Sequence, residues 1–261
     1  MVLSYSYCNV SVMPMRSEPS HRAEQVNEML YGERAEVLEV NEDNWARIRC
    51  EWDGYEGWCR FGQLTMTNRK EYRKPAKAVA ASHTDRILFE QGDQWVPMGS
   101  DLFGFKKSLV NFKGDTGKYK GKKLALKKMV LDAASLEKAA MAYLHAPYLW
   151  GGRSRAGIDC SGLTQMAFKM CGMAIPRDAS QQAKEGTGVD FLQHAQCGDL
   201  AFFDNSEGKI VHVGILLDNH TIIHATETSG RVVIDRIDQE GIISVKLKKR
   251  THHLRFVKRM F

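Results

Sequence analysis

Residues 157–163 read GIDCSGL and lie at the predicted start of a helix, shortly after PYLWGG at 147–152. From Cys160 to Met170 the apolar residues recur at steps of three and four, which is the spacing of one helix face. Gly172 follows where a helix C-cap is expected. The pattern therefore predicts a helix that begins at about Cys160.

Cys160 occupies a position that favours reactivity. A cysteine at a helix N terminus lies at the positive end of the helix dipole, which favours the thiolate over the thiol and creates a nucleophile. Cys171 lies at the other end of the same predicted helix and gains nothing similar, so we expect it to be structural. A thiolate nucleophile also needs a partner that carries protons.

Two histidines lie on a predicted hairpin downstream of this cysteine. Residues 209–217 and 221–226 have the apolar, β-branched character of strands, and DNH at 218–220 supplies the turn. If the turn has an odd number of residues, His212 and His224 face the same side. His224 can then bond one nitrogen of His212 while the other nitrogen faces the cysteine. With an even number, the two histidines face opposite sides.

The N-terminal region has the pattern of a small β-barrel. Short strands are predicted at 35–40, 45–49 and 56–60, and turn residues separate them. Its motifs resemble those of a bacterial SH3 domain: MRSEPS at 15–20, Gly32-Glu33, Trp45 and DGYEGW at 53–58. We assign residues 1–72 to this first SH3-like domain.

Residues 73–129 also lack helical periodicity, and we predict a second, divergent SH3-like barrel there. Its predicted strands are 78–81, 86–90, 94–98 and 102–105. Helical spacing of apolar residues begins at 131 and continues to 144. This change of pattern sets the boundary of the last domain, residues 130–261.

The C-terminal motifs together resemble the NlpC/P60 family of cysteine peptidases. They are residues 147–163, VHVG at 211–214 and IHA at 223–225. The resemblance implies an α+β, papain-like catalytic domain, in which a helix carrying the cysteine packs on an antiparallel sheet carrying the histidines. It also implies a catalytic triad, with Cys160 as nucleophile, His212 as base and His224 as the third polar member. Tyr148, Asp159 and Ser161 are implied to lie beside the substrate. The backbone amide of Cys160 is implied to help hold the oxyanion.

SH3-like domains before such a catalytic domain are similar to the arrangement in the γ-D-glutamyl-L-diamino acid peptidases. That subgroup trims peptidoglycan-derived peptides of the form L-Ala-γ-D-Glu-diamino acid, where the diamino acid is lysine or diaminopimelate. The resemblance implies that the first SH3-like domain closes one end of the groove. The free amine of the N-terminal L-alanine must then meet carboxylates, because a buried unpaired ammonium is unfavourable.

Three residues are candidates for holding that amine. Asp178 matches one position of the subgroup, and Glu24 and Tyr55 of the first domain are our candidates for the others. Glu18 or Glu28 can take the place of Glu24, and Tyr55 can instead brace a turn. The chain departs from the subgroup at position 179, where alanine replaces a common serine and one hydrogen bond to substrate is lost.

Composition limits the other partners. The 261 residues include six cysteines without C-x-x-C spacing, so we predict no metal site and no cofactor. Nine lysines lie between 106 and 128, but aromatic residues are not interleaved with them as stacking platforms. We therefore interpret this basic tract as a solvated loop and predict no nucleic-acid partner.

The location and assembly of the chain are also expectations. No apolar run approaches the roughly 20 residues of a membrane span, so we predict no membrane partner. We expect a monomer. The first residues do not resemble a signal peptide, which indicates a cytoplasmic protein. A signal peptide removed before residue 1 would instead indicate the periplasm or the cell surface.

Two other functions compete with dipeptide release. The first is an endopeptidase or amidase that acts on intact peptidoglycan, for which an open groove and cleavage of substrates with a blocked N terminus would be evidence. The second is a non-catalytic wall-binding protein, which rapid alkylation of a single thiol near neutral pH would argue against.

Overall fold

The computed structural model describes residues 2–103, 105–106, 108–112 and 115–261, with backbone only at 111, 112 and 115. The chain forms two compact units, Met1–Met129 and Val130–Phe261. Lys107 and Lys113 of the predicted basic tract lie outside the described residues. Within the described ranges, none of the helices combines the length and the apolar composition that a bilayer crossing requires.

The first unit begins with seven strands. Their bounds are β1 Ser4–Cys8, β2 Val12–Arg16, β3 Gln25–Leu30, β4 Arg34–Val40, β5 Trp45–Cys50, β6 Glu56–Arg60 and β7 Leu64–Thr67. They form one sheet in the order β3-β2-β6-β5-β4-β1-β7. The three strands predicted from the sequence are confirmed as β4, β5 and β6. Cys8, Cys50 and Cys59 lie in the apolar core of this sheet, where they pack as small hydrophobic residues.

The rest of the first unit holds one short helix and six strands. Their bounds are α1 Arg69–Tyr72, β8 Ala78–Ala80, β9 Arg86–Phe89, β10 Gly92–Trp95, β11 Leu109–Phe112, β12 Asp115–Lys120 and β13 Lys123–Ala125. Strands β10-β9-β12-β11 form a sheet, and β13 pairs with β8. One-turn 3₁₀ helices lie at Phe61–Gln63 and Leu126–Lys128.

Two predictions for this region are wrong. Residues 96–98, 102, 103 and 105, predicted as parts of two strands, lie in irregular structure and turns. Much of the basic tract, predicted as a loop, instead forms β11, β12 and β13. In β12 the buried ring of Tyr119 lies between the exposed side chains of Lys118 and Lys120. The strand therefore has the period-2 alternation of a half-buried sheet, which the density of lysines obscures in the sequence.

The second unit combines helices with a closed sheet. Its elements are α2 Ala133–Met141, β14 Arg153–Ser154, β15 Gly157–Ile158, α3 Cys160–Met170, α4 Ala179–Gln182, β16 Thr187–Val189, β17 Leu200–Asp204, β18 Ile210–Leu216, β19 Thr221–Thr226, β20 Arg231–Asp238, β21 Gly241–Ile243 and β22 Arg250–Arg259, with 3₁₀ turns at Leu192–His194 and Glu227–Ser229. The sheet order is β16-β22-β17-β18-β19-β20-β21, and β21 also pairs with β22. The six strands β17 to β22 therefore close into a barrel.

Helix α3 is the element that brings the cysteine to the barrel. It contacts β18 and β19 and is buried along its whole length. Its start at Cys160 confirms the sequence prediction, and Gly172 takes the left-handed conformation after its last turn, with φ of +85°. The helix predicted over 131–144 is α2, whose N-cap Asp132 accepts a hydrogen bond from the backbone N–H of Ser135.

Candidate active site

Cys160 is the first residue of α3, and the residues around it fix the start of the helix. The carboxylate of Asp159 caps the helix by accepting the backbone N–H of Gly162 at 2.7 Å. A Cβ at position 162 would lie 2.3 Å from the carbonyl oxygen of Gly152, so only glycine permits this approach. The side chain of Cys160 is 5% exposed. The start of the helix therefore holds the side chain of Cys160 in a buried position.

The thiol of Cys160 is neutral in this environment. Burial raises its pKa to about 12, and the Asp159 carboxylate acts in the same direction. Backbone hydrogen bonds from Val213 and Ser161, together with the Arg177 guanidinium, act against this rise. The predicted resting thiolate is therefore wrong. A helix N terminus contributes at most about 2 kcal/mol, less than the burial of an unpaired charge costs. Rapid alkylation of the resting protein near neutral pH is accordingly not expected.

Asp159 and Ser161, predicted to lie beside the substrate, bond to a buried arginine. Arg177 reaches the two carboxylate oxygens of Asp159 at 3.0 and 2.6 Å and the hydroxyl of Ser161 at 2.8 Å. The second Asp159 oxygen also accepts the backbone N–H of Gly151 at 2.7 Å. These contacts tie the helix start to the preceding turn. Arg177 had no signal in the sequence, since its partners lie 16 and 18 residues away.

Tyr148 is half-buried and forms an isolated β-bridge with Ile158, two residues before Cys160. Its backbone N–H donates to the carbonyl of Gly230 at 2.8 Å, which fixes its position in the chain. Burial raises the pKa of its phenol, and the next largest contribution comes from Cys160. The phenol is therefore within electrostatic reach of the thiol, as a residue beside the reacting group must be.

The structure brings His212 and His224 together. Ile215 pairs with Ile223 across β18 and β19, so the chain between these strands has an odd number of residues and the two histidines share a face. Nε2 of His212 lies 2.8 Å from Nδ1 of His224. The odd-turn alternative is confirmed. Gly214 leaves the room for this contact, because a Cβ there would lie 3.0 Å from the Cβ of His224.

Two further polar residues extend this cluster, and the sequence analysis missed both. Nε2 of His224 lies 3.2 Å from Oδ2 of Asp235, whose other oxygen accepts the backbone N–H of Val245 at 2.8 Å. The ring of His252 stacks on that of His212, with centroids 4.1 Å apart. The available signal for Asp235 was an acid that directly follows the apolar run 232–234 in β20.

Two imidazoles of this cluster, those of His212 and His252, are neutral at neutral pH. Burial lowers the pKa of His212 well below its usual value, and His224 and His252 add to the effect. Burial, then His224, lowers the pKa of His252 to about 4. Ring nitrogens of these three histidines lie within 4.8 Å of one another. A metal ion bound by all three would displace the hydrogen bond between His212 and His224, so we treat the group as a hydrogen-bonded chain.

Acidification should destabilise the protein through His252. The unfolded chain binds a proton below about pH 6.5, whereas the folded protein resists until about pH 4, so the free energy of unfolding falls as the pH is lowered through this window. The shift corresponds to about 3 kcal/mol. Urea unfolding, followed by circular dichroism between pH 7.5 and 4.5, measures this. His252→Phe keeps a stacked ring without a titrating group and should make the pH dependence shallower, while His212 still contributes to it. Equal slopes in the two proteins would contradict the prediction.

The predicted amine-binding residues lie in different units. In the second unit, half-buried Asp178 is the N-cap of α4 and forms a capping box with Gln181. In the first unit, Glu24 is exposed just before β3. Tyr55 is half-buried, packs against the core of the first sheet and accepts the backbone N–H of Cys50 at 2.9 Å through its carbonyl. Tyr55 thus has the turn-bracing contacts that were the alternative to binding.

The two alternatives to Glu24 differ in exposure. Glu18 is exposed in the turn after β2. Glu28 is buried, and its carboxylate accepts a hydrogen bond from the side chain of Gln25 at 3.3 Å. Glu24 and Glu18 are therefore both accessible to a ligand of the first unit, while Glu28 is enclosed by it.

Comparison with known proteins gives similarities to both units. Residues 145–251 match the NlpC/P60 family, and residues 15–62 match the bacterial dipeptidyl-peptidase SH3 domain. The gamma-D-glutamyl-L-lysine dipeptidyl-peptidase of Bacillus subtilis (strain 168) is 29% identical over 79% of this chain and 74% of its own length. Dipeptidyl-peptidase 6 of Lysinibacillus sphaericus is 27% identical over 86% of this chain and 88% of its own. The crystal structure of an NlpC/P60 family protein from Bacillus cereus has a TM-score of 0.83 at 20% identity, over 98% of this chain and 99% of its own.

The fold and these matches define a hydrolase of the cysteine peptidase class. The chain contains an NlpC/P60 domain at residues 145–251, and a bacterial dipeptidyl-peptidase SH3 domain at residues 15–62 precedes it.

Proposed function

We propose that the chain hydrolyses the γ-D-glutamyl–L-diamino acid bond of peptidoglycan-derived peptides that carry a free N-terminal L-alanine. Cys160 is the nucleophile, His212 the base and His224 the third member of the triad. The observation that carries this proposal is the hydrogen bond between His212 on β18 and His224 on β19, beside a helix whose first residue, Cys160, bonds to the backbone of Val213. The names of the relatives supply the substrate class.

The neutral state of both catalytic groups determines the first step. Because Nε2 of His212 is bonded to His224, Nδ1 is the ring nitrogen that remains to accept a proton. The sulfur attacks the γ-carbonyl carbon of the D-glutamyl residue while its proton moves to Nδ1. The charge is then never held by a buried thiolate alone, which avoids the penalty that burial imposes on Cys160.

The later steps use the same groups. The backbone N–H of Cys160 is in the first turn of α3, where the helix supplies no acceptor, so it can donate to the oxyanion. Collapse of the tetrahedral intermediate breaks the C–N bond, and His212 returns its proton to the leaving amine of the diamino acid. His212 then takes a proton from water, which attacks the thioester. The C–S bond breaks, His212 returns this proton to the sulfur of Cys160, and L-Ala-γ-D-Glu is released.

The contacts around the sulfur of Cys160 indicate which residues bind the substrate and which position the start of α3. Tyr148 is half-buried beside Cys160, and we assign it to the substrate side. Asp159 and Ser161 bond to Arg177 in the interior, so we assign them to positioning the helix start. The proposal includes both lysine and diaminopimelate as the diamino acid of the substrate. A cytoplasmic location and a monomeric state stay predictions.

We extend the proposal to the architecture. Packing of α3 on β18 and β19 supports a papain-like arrangement of the catalytic unit. For residues 73–129, the four-stranded sheet β10-β9-β12-β11 and the pair β13-β8 enclose a core that includes Ile87, Val96 and Tyr119. This small all-β core supports a second, divergent SH3-like barrel.

A free N-terminal amine on the substrate should be required for efficient cleavage. The measurement is kcat/KM for L-Ala-γ-D-Glu-L-Lys and for its N-acetylated form, with products identified by mass. A hydrogen bond between charged groups contributes about 1.5–3 kcal/mol, so acetylation should lower kcat/KM by about 10-fold or more. Asp178→Asn should narrow this difference, chiefly by weakening the free peptide, because asparagine still caps α4 but carries no charge.

Asp132→Asn is the matched control, since Asp132 caps α2 and should leave the ratio unchanged. Glu24→Gln and Tyr55→Phe test the first unit in the same assay. Efficient cleavage of intact, glycan-linked peptidoglycan would overturn the proposal in favour of an endopeptidase. An inert protein that still binds cell wall would favour the non-catalytic alternative.

A further inference from the structure

We propose that Asp235 is a positioning residue that determines which ring nitrogens of His224 and His212 carry protons, and thereby leaves Nδ1 of His212 as the base. The inference rests on the proposed function, because it explains how His212 comes to serve Cys160. It starts from a chain of contacts through three strands of the barrel: His212 on β18, His224 on β19 and Asp235 on β20.

The first link is the carboxylate. Burial by itself would raise the pKa of Asp235, but hydrogen bonds from His224 and from the backbone of Val245 outweigh it and hold the pKa below its usual value. Asp235 is therefore ionised at neutral pH and can only accept hydrogen bonds. Since Oδ2 lies 3.2 Å from Nε2 of His224, that nitrogen must carry the proton.

The second link is the contact between the two imidazole rings. With its one proton on Nε2, the ring of His224 presents an unprotonated Nδ1, which accepts. Because Nε2 of His212 lies 2.8 Å from this Nδ1, Nε2 of His212 must carry a proton and donate it in the hydrogen bond. A neutral His212 with its proton on Nε2 has its lone pair on Nδ1. The charge of Asp235 thus places the protons on Nε2 of His224 and Nε2 of His212. Nδ1 of His212 is left unprotonated, as the proposed reaction needs.

The surroundings disfavour the reverse order, in which both histidines carry their protons on Nδ1. In that order Nε2 of His224 would be unprotonated, and two acceptors would face each other across 3.2 Å in the interior. His252 stacks at 4.1 Å on the ring of His212 and restrains its rotation. Among the described residues, the charges of His224 on β19 and His252 on β22 act on Asp235, and His145, Arg231 and Lys246 line the same cavity as Asp235. When His212 takes the thiol proton, the Asp235 charge at the far end of the chain stabilises the imidazolium.

Asp235→Asn tests the inference because the amide has one donor and one acceptor. The backbone N–H of Val245 needs an acceptor, so the amide oxygen should turn to Val245 and the NH₂ group to His224. His224 must then accept through Nε2 and donate through Nδ1, and His212 receives its proton on Nδ1, where it blocks the base. We expect kcat to fall by about 100-fold or more.

Nitrogen NMR of the histidine rings gives a readout that does not depend on turnover. In the wild-type protein the Nε2 atoms of His212 and His224 should carry the protons, and in Asp235→Asn the protonated nitrogens should be Nδ1. Wild-type rings protonated on Nδ1 would overturn the inference, even if the variant does not fold. If the rings are ordered as expected but the γ-D-glutamyl peptide is not cleaved, the proposed substrate fails and the inference stands.

Two further variants separate positioning from a merely structural role. Asp238→Asn is a matched change on the same strand, at an exposed ion pair with Arg250, and should keep wild-type kcat. In a His224→Phe background the ring cannot pass on a hydrogen bond, so adding Asp235→Asn should lower kcat by no more than about twofold. Full additivity of the two changes, or wild-type kcat in Asp235→Asn alone, would overturn the inference.

Discussion

Cys160→Ala is expected to abolish hydrolysis, with kcat reduced by about 10⁵-fold or more, because no other group in the proposed reaction can form the thioester. The fold should persist. Asp159 still caps α3, alanine favours a helix, and the change removes a single buried sulfur atom. Mass detection of released L-Ala-γ-D-Glu measures the activity, and circular dichroism checks the fold.

Cys171→Ala is the matched control for this experiment. Cys171 is also a buried free thiol and lies directly after α3, at its other end. It should retain near wild-type kcat, apart from a small loss of stability through packing. If folded Cys160→Ala kept turnover within a few-fold of the wild type, the assignment of the nucleophile would be wrong.

His212→Ala should be nearly as damaging as loss of the cysteine. Members of one catalytic unit are not additive, so we expect a loss of about 10⁴-fold or more in kcat, and little further loss when Cys160→Ala is added. The reason is that a neutral, buried thiol has no other proton acceptor in the proposed reaction. His220→Ala, at an exposed histidine in the turn of the same hairpin, is the control and should behave as the wild type.

His224→Gln should be milder than His212→Ala. Asp235 accepts hydrogen bonds, so the NH₂ group of the glutamine should turn to it and leave the amide oxygen to accept from Nε2 of His212. The imidazole of His212 then keeps its orientation and proton order. Steady-state kcat for the three histidine variants gives the ranking, and a His224→Gln protein as inactive as His212→Ala would contradict it.

The sequence alone determined those features that neighbouring residues create. Apolar spacing of three and four residues predicted α3 and its start at Cys160, and β-branched runs predicted β18 and β19. Such periodicities depend on residues a few positions apart, so they can be read without knowledge of the fold. The same reasoning failed for β12, where lysines on the exposed face concealed the alternation around Tyr119.

Only the tertiary structure decided the chemistry of these residues. The sequence left open whether the turn between β18 and β19 has an odd or even number of residues. The odd number seen in the structure brings His212 within hydrogen-bonding distance of His224. Asp235 joins the pair from the next strand, and His252 from β22. The thiol of Cys160 is neutral because the fold buries it, although its place at a helix N terminus favours the thiolate. Burial and contacts between distant strands depend on how the whole chain packs, and local sequence patterns do not encode them.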